Sequence, residues 1–203
     1  MTVLVVVLAA VVVATWSVVL SKASTGPTGT ACPLPVTTPA GQPPLNAARP
    51  SNALDQVAPE PPSAVRIRVL NGGGQRGQAN LVASQLGELG FTEAADPIND
   101  PYYPDGNLAC RGNIRYGPNG VAAARTVSLV LPCVALVVDG RADDSVDVAI
   151  GTSFGEVNPS KAARDAVDQL SGPSGQTATG DSSTVTAPTA DPDLLAKARQ
   201  VPC

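Results

Sequence analysis

Only one stretch of the chain, Val65 to about Phe154, carries the sustained hydrophobic periodicity that a folded core requires. It opens with "VRIRV", in which arginines alternate with apolar residues, a pattern typical of a half-buried strand. A glycine-rich turn follows, and apolar residues then recur at helical spacing as far as Leu89. The flanking segments lack such periodicity. We therefore expect one small domain, at residues 65–157 of the 203-residue chain.

The second half of this stretch repeats the order of elements found in the first. "NIRYG" is predicted to be a strand, Val121 to Leu131 an alanine-rich helix, and "CVALVVD" the next strand. Between the halves "FTEAA" predicts a short strand, and "VDVAIG" predicts a fifth strand that returns antiparallel. Two strand–helix–strand units on one mixed sheet make a small two-layer domain of the α/β (α+β) class.

The strongest signal outside the domain is the uncharged apolar run of 18 residues from Val3 to Leu20. As a helix this run spans roughly 27 Å, close to the ~30 Å hydrocarbon core of a bilayer. We therefore expect residues 1–23 to be a transmembrane helix that anchors the chain in the cytoplasmic membrane, with the remainder outside the cell. Ser21-Lys22-Ala23 also resembles a signal-peptidase site, so cleavage after Ala23 and secretion is the alternative.

Proline dominates residues 24–64, which hold ten of the chain's twenty prolines and few large apolar side chains. Such a segment buries too little surface to offset its ordering entropy, so an extended arm with a reach of roughly 125 Å is expected. That arm would carry the domain away from the membrane. Residues 158–203 are expected to hold an amphipathic helix from Ser160, a Gly/Ser/Thr/Pro linker and a short helix before Cys203.

Composition excludes several classes of function. The chain has no histidine, which removes His-dependent nucleophile systems and His-ligated metal sites. Its net charge is -4, so it has no basic surplus for binding nucleic acid. No carboxylate cluster or activated nucleophile stands out. We therefore predict no catalytic residue, no metal and no cofactor.

The glycine-rich turn is the first candidate ligand site. Gly72, Gly74 and Gly77 have the G-x-G-x-x-G spacing of a dinucleotide-binding turn, between a strand and a helix. About ninety residues cannot supply the large sheet of a dinucleotide-binding domain, so plain turn geometry is the main interpretation. If an anionic glycan or phospholipid headgroup binds instead, Arg76, Gly74 and Gly77 would hold it at the start of the helix.

Two further groups of side chains have a functional and a structural interpretation. Tyr102 and Tyr103 in "DPYYPDGN" either stack on a sugar or a partner, or pack on the domain. Four aspartates near the last predicted turn lack the alternating ligand spacing of a calcium loop, so a solvated hairpin turn is expected there; they are Asp139, Asp143, Asp144 and Asp147.

Four cysteines follow the apolar run, which suggests two disulfides in an oxidising compartment; free thiols in the cytosol are the alternative. Four cysteines allow three pairings. Cys110 and Cys133 each precede a predicted strand, and a right-handed crossover would place them at the same sheet edge. They could then meet at disulfide distance, which would leave Cys32 to pair with Cys203; the sequence alone leaves the connectivity open.

The segment "VRIRVLNGGGQRGQANLVASQLGELGF" resembles the opening of the LytR C-terminal domain family. The similarity lies in a strand ending in V-L-N-G, a short glycine turn, a helix that begins G-x-A, and a final L-x-x-x-G-F. "IRYGPNGVAAARTVSLVL" and "VDVAIGTSF" resemble the second half of that family. The resemblance covers about Val65 to Phe154, which is under half of the chain.

This resemblance implies a membrane-anchored, extracytoplasmic protein that maintains the cell envelope. It implies no catalysis and supplies no ligand-binding residues. We therefore expect a non-catalytic binding or scaffold module whose partners are the membrane and either a cell wall glycopolymer or wall-biosynthesis proteins. The alternative is an accessory protein or enzyme acting on envelope glycopolymers.

Overall fold

The computed structural model describes residues 32–172, 175–179, 182–186 and 188–203. The apolar run 3–20, expected to be the anchor, lies outside this part of the chain. Within the part described, no helix has both the length and the apolar character needed to cross a membrane.

A mixed sheet occupies the centre of the domain. Its strands are β1 (Arg66–Asn71), β2 (Thr92–Glu93), β3 (Ile98–Asn99), β4 (Gly112–Tyr116), β5 (Ala135–Val138) and β6 (Val146–Ile150). The order is β2-β1-β6-β4-β5, and β3 also pairs with β1. Strand β6 runs parallel to β1 and antiparallel to β4, so it joins the two predicted strand–helix–strand units. The predicted α/β class and single mixed central sheet are confirmed.

In the part of the chain that the structure describes, four α-helices accompany the sheet: α1 (Gln78–Glu88), α2 (Val121–Val130), α3 (Lys161–Leu170) and α4 (Pro192–Arg199). Helix α3 begins where expected, because the Ser160 hydroxyl accepts a hydrogen bond from the Ala163 amide at its N-cap. Helix α4 is fixed by Arg199, which donates to the Ser128 carbonyl at 2.8 Å. The last two helices thereby pack beside α2.

One segment expected to be linker forms a hairpin instead. Strands β7 (Gly175–Thr179) and β8 (Ser182–Thr186) pair antiparallel as a separate two-stranded sheet. The segment is rich in β-branched threonine and valine, which favour strands, and this outweighs its linker-like content of glycine and serine.

Alternation along the strands gives the central sheet two different faces. Ile67 and Val69 on β1, Ile114 on β4 and Val148 on β6 belong to the main core beneath α1 and α2. The opposite face carries charged residues in the middle of the same strands. A smaller apolar cluster with Leu70 and Leu108 covers part of that face.

The proline-rich segment does not form a free arm. From residue 32 onward it lies against the domain, where Arg49 pairs with Leu136 on the edge strand β5 and Leu54 is buried in the main core. The backbone amide of Arg49 donates to the Leu136 carbonyl at 2.7 Å. The expectation of an extended arm is therefore wrong for residues 32–64, because edge pairing and a few well-placed apolar side chains hold the segment down.

The predicted disulfide pairing is also wrong. The structure joins Cys32 to Cys110 and Cys133 to Cys203. Cys110 and Cys133 do precede neighbouring parallel strands, but the register of Asn113 with Ala135 sets Cys133 opposite Arg111. Because successive residues face opposite sides of a sheet, Cys110 and Cys133 point away from each other. Each bonds instead to a cysteine in the segment that covers its own face.

Candidate functional site

The side chain of Asn71 closes the glycine turn through two hydrogen bonds. Asn71 donates from Nδ2 to the Gln75 carbonyl at 2.8 Å, and its Oδ1 accepts from the Gly74 amide at 3.0 Å. Gly74 has a φ of 76°, and a Cβ on Gly106 would lie only 2.4 Å from the Gly74 Cα. These glycines allow two loops to pack backbone against backbone, which supports the turn-geometry interpretation.

Arg76 and Gly77 lie in the exposed part of the same turn. Gly77 is the N-cap of α1, with a φ of 79° and open space where a Cβ would be. The Arg76 side chain is in solvent. An anion site at Arg76, Gly74 and Gly77 therefore stays a prediction, and a comparison of variants below tests it.

The side chains of Tyr102 and Tyr103 are buried and form hydrogen bonds within the protein. Their exposed fractions are 7% and 5%, and their hydroxyls donate to the carbonyl oxygens of Pro43 and Pro33. Burial raises the pKa of both hydroxyls, so each remains a proton donor at neutral pH. Both rings lie beneath the proline-rich segment, so the structure favours the packing interpretation over a stacking contact to a sugar or partner.

Beneath the two rings lies a fully buried ion pair. Arg115 donates to the Asp100 carboxylate at 2.9 and 2.5 Å, and neither side chain has any exposed surface. The Arg115 Nε donates to the side-chain oxygen of Asn113 at 2.7 Å, and the guanidinium lies 4.8 Å from the Tyr102 ring centre. This pair ties the loop after β3 to the charged face of the sheet.

A second set of ion pairs crosses the same face. Arg68 on β1 and Asp147 on β6 are register partners, and the Arg68 guanidinium donates two hydrogen bonds to the Asp147 carboxylate, at 3.0 and 2.8 Å. Arg141 donates to Asp147 at 2.7 Å and also holds Asp139 at 2.7 Å. Asp139 and Asp147 are buried rather than solvated, so the expected solvated turn is wrong for these two residues.

These charges form one wall of an open cleft of about 370 Å³, which we call the arginine cleft. Its polar lining consists of Gln42, Arg66, Arg68, Arg141, Asp143, Ser145 and Asp147, and its apolar lining of Pro43, Ala94 and Ala95. Arg66 is half exposed and only loosely paired with Asp144, at 3.4 Å. The cleft therefore offers both hydrogen-bond donors and acceptors to a ligand.

Comparison with known proteins supplies the family. Residues 64–154 match the LytR cell envelope-related transcriptional attenuator family, the LytR C-terminal domain. The chain also covers 98% of the solved soluble domain of a conserved hypothetical secreted protein from Mycobacterium marinum, with 36% identity and a TM-score of 0.66 over 78% of this chain. The chain belongs to the LytR C-terminal domain family.

A curated relative of this LytR C-terminal domain protein is the cell envelope integrity protein Cei from Mycobacterium tuberculosis. The two are 44% identical over 118 residues, which is 57% of this chain and 54% of Cei. The chain thus spans about half the length of the curated relative it matches. Together these comparisons support an envelope-associated role.

The LytR C-terminal domain is expected to lose stability in acid through Asp147. Burial raises the Asp147 pKa, but hydrogen bonds from Arg68 and Arg141 outweigh burial and leave the pKa below its ordinary value. A carboxylate with a lowered folded-state pKa stabilises the fold above the unfolded pKa of about 3.9, and this contribution is lost as the pH falls further. Urea unfolding at a series of pH values between 7 and 3 measures how steeply the free energy of unfolding falls in acid.

Asp147→Asn is the matched variant for this measurement, since it removes the titrating group and keeps the shape. Its free energy of unfolding should be lower at pH 7 and should fall less steeply in acid. An unchanged slope in Asp147→Asn would show that Asp147 does not carry the acid sensitivity.

Sequence reasoning missed the arginine cleft of this LytR C-terminal domain, although one signal was present. Arg68, Arg115 and Asp147 each stand in the middle of a predicted strand with apolar neighbours on both sides. Charges at such positions imply partners on adjacent strands. The strand order that brings these charges into one row is not visible in the sequence.

Proposed function

We propose that this chain is a membrane-anchored, extracytoplasmic protein that supports cell envelope integrity as a non-catalytic binding module, and that the arginine cleft is its ligand site. The observation that carries the proposal is a cleft of about 370 Å³ in which partly buried ion pairs hold the polar groups in place. Rigidly held polar groups on a domain of an envelope-associated family suit recognition of an envelope component.

The chemistry of the cleft favours binding over catalysis. Asp147 accepts from two arginines and has a lowered pKa, so it is a poor general acid. Hydrogen bonds from the Ser145 hydroxyl and amide likewise lower the pKa of Asp143. Glycoside hydrolysis requires one carboxyl group that is protonated near neutral pH, and neither aspartate fits that role. All four cysteines are in disulfides.

The anchoring part of the proposal is supported by the apolar run Val3 to Leu20, and the extracytoplasmic part by the two disulfides. A chain held by a transmembrane helix stays in the membrane fraction after a carbonate wash. If the protein is instead recovered in the wash supernatant, the anchor is contradicted, but the proposed binding site is not affected by that result.

The function is tested in cells that lack this chain. Wild-type protein is expected to restore the permeability barrier, measured as the rate of ethidium uptake. The double variant Gln42→Ala/Arg66→Ala should restore less than half of the barrier, because it removes two polar groups of the cleft without breaking a buried ion pair. Arg76→Ala, which removes an exposed arginine at the glycine turn, is the matched control and should restore the barrier fully.

Two results would count against this assignment. If wild-type protein leaves ethidium uptake unchanged, the role in envelope integrity fails. If Arg76→Ala loses the function and the double variant keeps it, the ligand site is the glycine turn and not the arginine cleft.

A further inference from the structure

The arginine cleft contains many hydrogen-bonding side chains, but their positive and negative charges nearly cancel. Three guanidinium groups, those of Arg66, Arg68 and Arg141, face four carboxylates. These belong to Asp139, Asp143, Asp144 and Asp147. The local charge is thus close to zero and slightly negative. A polyanion would gain little from such a surface, since each guanidinium already has a carboxylate partner.

One donor and one acceptor that line the cleft have unused hydrogen-bonding capacity. Arg68 uses Nε and Nη2 on Asp147, which leaves its Nη1 free of that pair. Asp143 accepts from Ser145 through Oδ1, and its second oxygen is not part of that contact. A hydroxyl group donates one hydrogen bond and accepts others, so it can bridge a guanidinium and a carboxylate.

The remaining lining is small and apolar. It consists of Pro43 from the proline-rich segment and of Ala94 and Ala95, which follow β2. These residues offer flat hydrocarbon surface of the kind that contacts the C–H groups of a sugar ring. No aromatic ring is among the lining residues, so a single sugar is expected to bind weakly.

The wall that carries Gln42 and Pro43 is fixed before a ligand arrives. The Tyr102 hydroxyl donates to the Pro43 carbonyl, and the Cys32–Cys110 disulfide fastens the same segment to the domain. The Asn46 side chain adds a hydrogen bond to the Val138 carbonyl at 2.8 Å. A wall fixed in this way lowers the ordering cost of binding.

From these features we infer that the arginine cleft recognises an uncharged, hydroxyl-rich saccharide, such as a short stretch of a neutral polysaccharide. This inference rests on the proposed binding function and adds the chemical class of the ligand. The cleft volume of about 370 Å³ lies at the lower end of the range for small-ligand sites, which suits one or two sugar rings.

Asp143→Asn separates a neutral saccharide from an anion, because the two ligands respond in opposite directions. Asp143 is exposed and belongs to no buried ion pair, so the variant is expected to fold. Loss of the carboxylate acceptor should weaken binding of a neutral saccharide by about fivefold to tenfold. An anionic ligand would bind more tightly, since a nearby negative charge is gone.

The experiment measures binding of the full chain to an array of neutral glycans and of uronate-containing or phosphate-containing glycans at 50 and 300 mM salt. The expected result is binding to neutral glycans that changes little with salt and weakens in Asp143→Asn and in Arg66→Met. Asp105→Asn, which removes an exposed carboxylate outside the cleft, is the matched control and should bind as wild type does.

Binding confined to anionic glycans, with a steep salt dependence and a gain in Asp143→Asn, would overturn the inference. So would neutral-glycan binding that is equal in wild type, Asp143→Asn and Arg66→Met. Either result leaves the permeability test intact, because that test asks only whether the cleft is needed for the barrier. A failure of the ligand class is therefore distinguishable from a failure of the proposed function.

Discussion

Replacing Arg115 with methionine is expected to lower the free energy of unfolding by about 3–5 kcal/mol. The substitution leaves the Asp100 carboxylate buried without its guanidinium partner, and both side chains of this pair are completely inaccessible to solvent. Urea unfolding of the wild type and the variant, at the same pH and protein concentration, measures the difference. Because the pair also underlies the Tyr102 ring, the variant should expose the 100–110 loop to proteolysis.

Two controls distinguish a buried charge from a general loss of packing. Arg66→Met removes a guanidinium whose pair with Asp144 is more than half exposed, and it should cost less than about 1 kcal/mol. The double variant Arg115→Met/Asp100→Asn removes both charges but keeps an acceptor for the Tyr102 amide, and it should recover most of the stability lost in Arg115→Met. A cost below about 1 kcal/mol for Arg115→Met would show that Asp100 is not isolated from water.

Loss of the Cys32–Cys110 disulfide is expected to destabilise the oxidised protein by about 4 kcal/mol in the chain-entropy account of crosslinks. The two cysteines are 78 residues apart, so the bond removes a large loop from the unfolded ensemble. The variant Cys32→Ser/Cys110→Ser should therefore unfold at a lower urea concentration. Amide hydrogen exchange should also speed up in residues 33–49, which the bond fastens to the sheet.

The Cys133–Cys203 disulfide, with a separation of 70 residues, provides the comparison. Cys133→Ser/Cys203→Ser should lose a similar amount of stability, but faster exchange should appear in α4 and not in residues 33–49. Peptide mapping of the oxidised protein checks the pairing directly. Recovery of a Cys110–Cys133 crosslinked peptide, or unchanged unfolding in both double variants, would contradict the structure.

The strands and helices of the LytR C-terminal domain were largely predictable, because their signals are local. The alternation in "VRIRV" and the alanine-rich run from Val121 each lie within one element, and Ser160 marks the start of α3. The class of the central sheet followed from the order of these elements. The short strand β3 was missed, since only Ile98 and Asn99 follow Pro97 before the chain turns.

The contacts between distant segments were not predictable from the sequence. Composition alone favoured an extended arm at residues 24–64, yet prolines retain carbonyl oxygens, and Tyr102 and Tyr103 donate to two of them. The disulfides depended on strand register, because a shift of one residue reverses the side of the sheet that a cysteine faces. The arginine cleft depended on β6 lying between β1 and β4, which no local pattern encodes.

The two disulfides are consecutive along the chain, and this order limits how far the protein can stretch. Between residues 32 and 203 the shortest covalent path crosses to Cys110, follows the backbone to Cys133 and crosses again to Cys203. Even after complete unfolding, that path extends to only about 90 Å, whereas the uncrosslinked backbone would reach roughly 600 Å. Tension applied between these two residues is therefore borne by the segment from Cys110 to Cys133. The wall of the arginine cleft at Gln42 and Pro43 lies outside that path and therefore does not carry this tension.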